Sequence, residues 1–385
     1  MATPRSTAEE YHRLTKYSPE TLLDGPGLDW SKQPDHFKEI VSSQRTPLRS
    51  YLPVTWGQSA PEPPGGAKDF DPGGLGLGQL SRLLFFTNGV TAAIRFQGGR
   101  SHYLRAAPSA GALYPTEIYA ALRGIDGLED GLYNYQASNH ELVRLWDGDH
   151  FKELQYACGN DPALEDAHAC LVFTGLLWRS AWRYQERGYR RVLLDTGHVL
   201  ANLTTYASHE EVVASPLEGF RDRDLNGLFY FDENVEAALA AVPILPARRP
   251  ARWATNWSSP AREGAWLEAT TFKDESDLRG SATLALHEAS ACADPSPAEG
   301  PGEPASSELA IPLAPPVAMD ESIPKTILKR RSARGYQEKP IDFDVLGRAC
   351  GYALCRDDDA TWLPPTRAGG LLDLHIVAFE VNGLD

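Results

Sequence analysis

The chain has 385 residues, of which 42% are apolar, and its formal net charge at pH 7 is −15. This length accommodates two domains with hydrophobic cores. The negative charge argues against nucleic-acid binding, which requires a basic face opposite the phosphates. No apolar run approaches the roughly 18 residues of a membrane span, and the N-terminal residues lack the apolar segment of a signal peptide. We therefore expect a cytoplasmic protein with a small-molecule or peptide substrate and no membrane partner.

The five cysteines are scattered along the chain. They show neither the spacing of a zinc site nor a Cys-x-x-Cys pair. We expect free thiols and no metal site.

Secondary structure is predicted in chain order from periodicity and turn residues. Residues 1–45 are expected to form a leader with short helices. The glycine run Gly73–Gly78 has neither the spacing nor the preceding strand of a dinucleotide loop, so we interpret it as part of a linker. The next predicted elements are a helix at 80–88 that ends at Gly89, a strand at 118–122, a hairpin of 132–135 with 142–145, and a central strand at 169–177.

The stretch Tyr189–Ala207 has a helical period. One predicted face carries Val192, Thr196, Val199, Leu203 and Tyr206, and a polar face carries Asp195, His198 and Asn202. A short helix is predicted at Val235–Ala241, capped by Asp232. Residues 246–320 are rich in Pro, Ala and Ser, and we interpret them as a linker with one docked helix around Trp266–Leu278.

Two segments recur near the C-terminus. Gly111–Ala120 aligns with Gly369–Ala378, and Arg45–Tyr51 aligns with Arg330–Tyr336. A repeat at this distance indicates two similar domains, since solenoid periods are far shorter. The predicted organisation is a first domain at 46–245 and the beginning of a second at 321–385, whose later part is missing.

Three segments carry chemistry. Arg331, Ser332 and Arg334 lie within one turn and suit a phosphate, although an exposed basic patch is the alternative. The small residues of Pro108–Ala112 allow close approach to a flat ligand, or form an ordinary tight loop. Tyr184 is a candidate proton donor or acceptor near several arginines, which otherwise mark a solvated helix start.

Together these segments resemble the SagB-type dehydrogenases of the nitroreductase-like flavoprotein superfamily. The resemblance spans about residues 10–245. It rests on R-A-A-P-S-A-G-A-L-Y-P-T-E-I-Y from Arg105, G-L-Y-N-Y from Gly131, W-R-Y-Q-E-R-G-Y-R from Trp182 and D-T-G-H-V-L-A-N-L from Asp195. It implies an α+β nitroreductase-like fold, with an antiparallel-dominated sheet flanked by helices and a tandem repeat whose second copy is incomplete. It also implies FMN bound between two domains or subunits related by a two-fold axis.

The resemblance also implies roles for individual residues. Arg331, Ser332 and Arg334 would grip the flavin phosphate, and the loop from the partner domain would lie along the isoalloxazine. The cofactor-binding residues predicted in that loop and before it are Arg105, Pro108, Ser109, Ala110 and Gly111. The first copy has Pro47 in place of Ser332, and the second copy has Arg367 in its loop. We therefore expect one flavin site per chain, between the two domains.

The Lys-Tyr pair of the family corresponds to Arg183-Tyr184. Arginine stays protonated and cannot act as a general base, so Tyr184 would act alone or with Arg183 as an electrostatic aid. The expected function is hydride transfer between FMN and a small-molecule or peptide substrate, with azoline oxidation in modified peptides as one form. The alternatives are an NAD(P)H-dependent nitroreductase and a flavin-free paralogue that binds a peptide or partner. A homodimer or partner biosynthetic enzymes are further expected associations.

Overall fold

The computed structural model describes most of the chain, and the chain divides into two compact units, Met1–Ser296 and Pro297–Asp385. The described residues are 5–19, 27–53, 71, 73–95, 101–217, 219–246, 278–295, 322–335, 339–354 and 381–382. Within these residues, no helix combines the length and apolar character needed to cross a bilayer.

Strands and helices are both present throughout the described part of the first unit. The strands are β1 (Arg45–Pro47), β2 (Val90–Arg95), β3 (Ser101–Arg105), β4 (Thr116–Leu122), β5 (Gly131–Gln136), β6 (Glu141–Asp147), β7 (Ala169–Leu176), β8 (Val212–Ala214) and β9 (Glu236–Pro246). The helices are α1 (Thr7–Thr15), α2 (Leu77–Asn88), α3 (Phe151–Ala157), α4 (Leu177–Tyr184), α5 (Gly188–Ala207), α6 (Asp222–Phe229) and α7 (Ala282–Ser290).

Seven of these strands form one sheet in the order β1-β6-β5-β4-β7-β9-β8. Every neighbouring pair in it is antiparallel. The strands β2 and β3 pair separately as a hairpin. The structure thus confirms the predicted fold class, an antiparallel sheet flanked by helices.

The sheet is covered on both faces, as the central strand β4 shows. Successive residues of a strand point to opposite faces. Tyr119 and Ala121 belong to a hydrophobic cluster that includes residues of α3 and α6. Thr116, on the opposite face, has its hydroxyl oxygen 2.9 Å from that of Thr196 on α5. All seven residues of β4 are therefore buried.

Most of the predicted elements of the first unit are confirmed. The helix predicted at 80–88 is α2, whose C-cap is Gly89. The predicted hairpin is formed by β5 and β6, and the predicted central strand is β7, which ends at Leu176. The predicted apolar face of α5 is buried along its whole length.

The helix predicted at Val235–Ala241 is wrong, because β9 begins at Glu236 and includes the rest of that segment. Alanine favours helices, and the sequence E-A-A-L-A-A has the composition of one. However, β9 pairs with β7 on one side and β8 on the other, and that ladder overrides local propensity. Asp232 closes a turn before the strand, since its carbonyl accepts from the amides of Val235 and Glu236 at 2.8 Å.

The predicted boundaries of the first domain also differ from the structure. The helix α7 lies within the predicted linker, and its Leu284 packs in a buried cluster with Tyr11 of α1 and Tyr189 of α5. The leader and α7 thus belong to the first unit, which extends to Ser296. The helix predicted around Trp266–Leu278 lies outside the described residues apart from Leu278.

The second unit is described over fewer residues. It contains α8 (Ile323–Lys329), β10 (Ile341–Asp342), α9 (Phe343–Leu354) and β11 (Val381–Asn382). The strands β10 and β11 pair in parallel. The tandem repeat stays a prediction, because Gly369–Ala378 lies outside the described residues.

Candidate active site

The buried carboxylate of Asp195 accepts hydrogen bonds from the loop between β3 and β4. The Ser109 hydroxyl donates to the Asp195 carboxylate at 2.6 Å, and the Ala110 amide donates to it at 3.1 Å. The Tyr114 amide in turn donates to the Ser109 hydroxyl oxygen at 2.8 Å. Both ends of the loop are therefore tied to one residue of α5.

Burial of Asp195 has an electrostatic consequence. Desolvation raises the pKa of this carboxyl above its ordinary value, while the bonds from Ser109 and Ala110 act in the opposite direction. A buried carboxylate that accepts several hydrogen bonds fixes the backbone that donates them. The sequence placed Asp195 on a polar helix face without assigning it a role.

The backbone of the loop is held in unusual conformations. Gly111, Ala112 and Tyr114 have φ values of 65°, 55° and 50°, in the left-handed region. This region is costly for residues with a Cβ atom, and it persists where surrounding contacts over-determine it. Such strain concentrates at functional sites, which agrees with the sequence interpretation of this loop as a ligand-facing element.

Two buried arginines support the loop. The Arg179 guanidinium donates to the Tyr114 carbonyl at 2.7 Å and pairs with Glu117 at 2.6 Å. Sequence reasoning missed Arg179 and Glu117, although a charge inside each of two apolar segments marks a buried pair.

Arg105, predicted to bind the cofactor, also lies beneath the loop. Its guanidinium donates to the His36 carbonyl at 2.8 Å and lies 5.0 Å and 5.1 Å from the ring centroids of Phe37 and Tyr114. Burial lowers its pKa from the ordinary value. The described contacts of Arg105 support the loop, and its direct contact with a cofactor stays a prediction.

The structure brings Arg183 and Tyr184 against Gly111. A Cβ atom on Gly111 would lie 3.0 Å from the Tyr184 hydroxyl oxygen and 3.1 Å from Cδ of Arg183. Glycine is favoured at this exposed position by its φ of 65°, and its small size leaves room for the two side chains. The predicted catalytic pair and the predicted small-residue loop therefore form one site.

Tyr184 lies between two cations. The guanidinium carbons of Arg183 and Arg191 are 5.9 Å and 5.6 Å from its ring centroid. Tyr184 is half-buried, and Arg183 is exposed. This arrangement places two positive charges near a half-buried phenol.

The described hydrogen bond of His198 lies outside this site. Its ring Nδ1 donates to the Leu194 carbonyl of its own helix at 2.9 Å, and the side chain is exposed.

The predicted phosphate-binding residues belong to the second unit. Arg331, Ser332 and Arg334 are all exposed in the segment that follows α8. The Arg331 guanidinium donates to the carbonyls of Leu328 and Arg330 at 2.9 Å and 2.6 Å. Arg367, expected to disturb the loop of the second copy, lies outside the described residues.

Comparisons with known proteins agree with this geometry. A sequence model of the Nitroreductase family matches residues 68–244. The chain is 31% identical over 159 residues to MJ1384 of Methanocaldococcus jannaschii, which is named as a nitroreductase; the match covers 41% of this chain and 76% of MJ1384. It is 28% identical over 231 residues to the trifolitoxin-processing protein TfxB of Rhizobium leguminosarum bv. trifolii, covering 55% of this chain and 57% of TfxB.

A solved structure is similar over most of the chain. It is that of an Anabaena variabilis ATCC 29413 protein described as a nitroreductase. The TM-score is 0.66 at 33% sequence identity, and the match covers 90% of this chain and 67% of the other.

Proposed function

Because the chain belongs to the nitroreductase family of oxidoreductases, we propose that it uses FMN to transfer hydride to or from a small-molecule or peptide substrate. The observation that carries this proposal is the contact of Gly111 with Tyr184 and Arg183. This contact places the backbone of a glycine, which has no side chain, next to a potential proton donor. A flat redox cofactor and its substrate require both features at one place.

The residues present fit the ring end of FMN. Gly111 is exposed, and the absence of its Cβ atom keeps the loop surface open beside the Tyr184 hydroxyl. Ser109 and Ala110 are fixed from the opposite side by Asp195, so the loop is preorganised before any ligand binds.

The residues present also fit the phosphate end. Five basic and no acidic residues lie between Lys325 and Arg334, in a chain whose net charge is −15. Arg331, Ser332 and Arg334 are exposed and offer guanidinium and hydroxyl donors, which phosphate prefers. The likeness to the Anabaena variabilis structure covers 90% of this chain, more than the first unit contains, so it reaches the second unit as well.

Bound FMN would supply the acceptance and return of hydride, and the chain would supply binding, orientation and electrostatics. Asp195 holds the loop in position through Ser109 and Ala110. The Tyr184 hydroxyl would donate a proton to substrate or accept one from it. Arg183 keeps a positive charge 5.9 Å from the centroid of the phenol ring and cannot itself accept the proton.

A peptide substrate is one form of this proposal. The chain spans just over half the length of TfxB, whose name assigns it to trifolitoxin processing. The proposed peptide chemistry is azoline oxidation, in which Tyr184 would abstract the proton without the lysine that Arg183 replaces. The second form, supported by the similarity to MJ1384, is reduction of nitroaromatic compounds by NAD(P)H. Stopped-flow reduction of the bound flavin by NADPH separates the two forms.

The first test is the visible absorbance spectrum of the purified chain, with the released chromophore identified by mass. A yellow protein that contains stoichiometric FMN supports the proposal. A colourless protein that also fails to take up added FMN contradicts it, and favours a flavin-free paralogue that binds a peptide or a partner.

A further inference from the structure

The turn that follows Tyr184 is strained. Gln185 has φ 51° and ψ −136°, a combination outside the conformations that residues with a Cβ atom readily adopt. Three residues later, Gly188 begins α5 in direct contact with α4, and a Cβ atom there would lie 2.7 Å from the Ala181 amide nitrogen. A turn of this kind keeps its shape only where neighbouring contacts hold it.

One set of contacts comes from α1. The Tyr11 hydroxyl donates to the Glu186 carbonyl at 2.5 Å. The Arg187 guanidinium donates to the carbonyls of Thr15 and Lys16 at 2.9 Å and 3.3 Å, at the C-terminal end of α1. Cations at this end of a helix satisfy unpaired carbonyls and complement the helix dipole.

A second set comes from α7. The Glu186 carboxylate accepts from the Ala282 amide at 3.2 Å, and from the amide and hydroxyl of Thr283 at 2.8 Å each. These are the first amides of α7, which have no partner within the helix. A carboxylate at this position caps the helix and complements its dipole. Glu186 thus joins the turn after Tyr184 to a helix about 100 residues further along the chain.

The docking of α7 is reinforced by its other contacts. Leu284 lies in the buried cluster with Tyr11 and Tyr189, and His287 Nδ1 is 2.9 Å from the Tyr189 hydroxyl oxygen. Tyr189 lies in the first turn of α5, so α7 contacts both the strained turn, at Glu186, and the helix that follows it.

We propose that Glu186 is a positioning residue for Tyr184, and that α1 and α7 together form a clamp that keeps the Tyr184 hydroxyl beside Gly111. This proposal rests on the proposed function of Tyr184. If the cap is lost, the strain at Gln185 is released and the phenol leaves its position.

The test compares Glu186→Ala and Glu186→Gln with Glu288→Ala in the full chain. Glu288 is an exposed carboxylate on α7, so its removal changes the charge of the same helix without touching the clamp. Hydrogen exchange measures the opening of α7, and the rate of Tyr184 nitration by tetranitromethane, followed by peptide mass, measures the accessibility of the phenol. The reference for nitration is Tyr156, which is 57% exposed.

We expect Glu186→Ala to speed amide exchange in α7 about tenfold, as loss of a helix cap does. It should also raise nitration of Tyr184 several-fold relative to Tyr156. Glu186→Gln keeps only one acceptor oxygen, so both of its rates should lie between those of Glu186→Ala and those of the unsubstituted chain. Glu288→Ala should change neither rate. Faster exchange in α7 without faster nitration of Tyr184 would show that Glu186 only caps the helix, and would overturn the proposal. No change in either rate would also overturn it.

Turnover separates this proposal from the proposed function. With NADPH and 4-nitrobenzoate as the probe, Glu186→Ala should lower kcat in the unchanged chain but not in a Tyr184→Phe background, because it acts through that hydroxyl. An equal loss in both backgrounds overturns the positioning role. If Tyr184→Phe leaves turnover intact while nitration still responds to Glu186→Ala, the clamp stands and the assigned role of Tyr184 fails.

Discussion

The loop Pro108–Tyr114 and the segment Arg331–Arg334 represent opposite ways of preparing a binding site. The loop is strained, and buried side chains of α4 and α5 hold it through hydrogen bonds. The segment is exposed, and the described hydrogen bonds of Arg331 go to the carbonyls of the neighbouring residues Leu328 and Arg330. The first presents a fixed backbone surface, and the second presents charge on long side chains.

This difference in burial indicates whether a substitution would change the stability of the fold or the binding of a ligand. Buried contacts contribute to folding, so changes beneath the loop should lower stability together with binding. Exposed arginines contribute little to folding, so changes in the segment should weaken ligand binding and leave the fold intact. The predictions below test this division.

The largest expected effect is that of Ser332→Ala with Arg334→Ala. The proposal requires both side chains for the flavin phosphate, and loss of a charge-assisted bond with a hydroxyl bond should weaken FMN binding about a thousandfold. Equilibrium dialysis of the apoprotein against FMN measures this, and thermal unfolding of the apoprotein should be unchanged. The control is Lys325→Ala, an exposed cation on α8. Unaltered FMN retention in the double variant would show that the phosphate site is elsewhere.

The next effect concerns turnover. Tyr184→Phe removes the proposed proton donor and should lower kcat about a hundredfold, while FMN content stays the same. Arg183→Lys keeps the positive charge and introduces a group able to lose its proton, so kcat should gain a new dependence on pH. Steady-state rates between pH 6 and pH 10 with NADPH and 4-nitrobenzoate measure both. A Tyr184→Phe variant with full activity would contradict the catalytic assignment.

A smaller effect is expected from Asp195, on stability and binding together. Asp195→Ala leaves the Ser109 hydroxyl and the Ala110 amide without their buried acceptor, which should lower the free energy of unfolding by about 2 kcal/mol. Asp195→Asn keeps one acceptor and relieves the desolvation of the carboxylate, so its loss should be smaller. Urea unfolding followed by tryptophan fluorescence compares the two variants. Equal losses in both would show that the charge of Asp195 matters more than its acceptor geometry.

The sequence predicted most of the fold because period and turn residues are local properties. The burial of α5 follows from its apolar spacing, and β7 follows from an uninterrupted apolar run. The failure at β9 arose where local propensity and tertiary pairing disagree, since the alanine-rich part of β9 is a strand because it pairs with β7. No pattern within the segment itself records its neighbours.

The sequence also predicted that the small-residue loop and Arg183-Tyr184 belong to one functional site, through family resemblance. It did not reveal what holds them. The partners Asp195 and Glu186 act on residues about 85 and 97 positions away, at distances that sequence spacing cannot indicate. The strain at Gln185 is likewise invisible in the sequence, because glutamine is an ordinary surface residue.

The last prediction concerns the acid stability of the first unit. His140 lies buried in the β5–β6 turn, between the Ser81 hydroxyl at 2.9 Å and the Tyr135 hydroxyl at 2.8 Å. Burial, aided by the positive charge of Arg49, lowers the pKa of His140 from 6.5 to about 3. Below pH 6.5 the histidine is protonated in the unfolded chain and stays neutral in the folded chain. The stability that is present above pH 6.5 is therefore lost as the pH falls towards about 3.

His140→Asn should flatten this dependence. Asparagine tolerates the φ of 52° at this position, so the turn should survive, although the lost bonds lower stability at neutral pH. Asp195 has the opposite effect on the pH dependence of stability. Its pKa is raised in the folded state, so the folded state loses stability as the pH rises through that pKa. Urea midpoints measured between pH 4 and pH 7 in an Asp195→Asn background isolate the contribution of His140. A slope that His140→Asn leaves unchanged would assign the acid sensitivity to carboxylates instead.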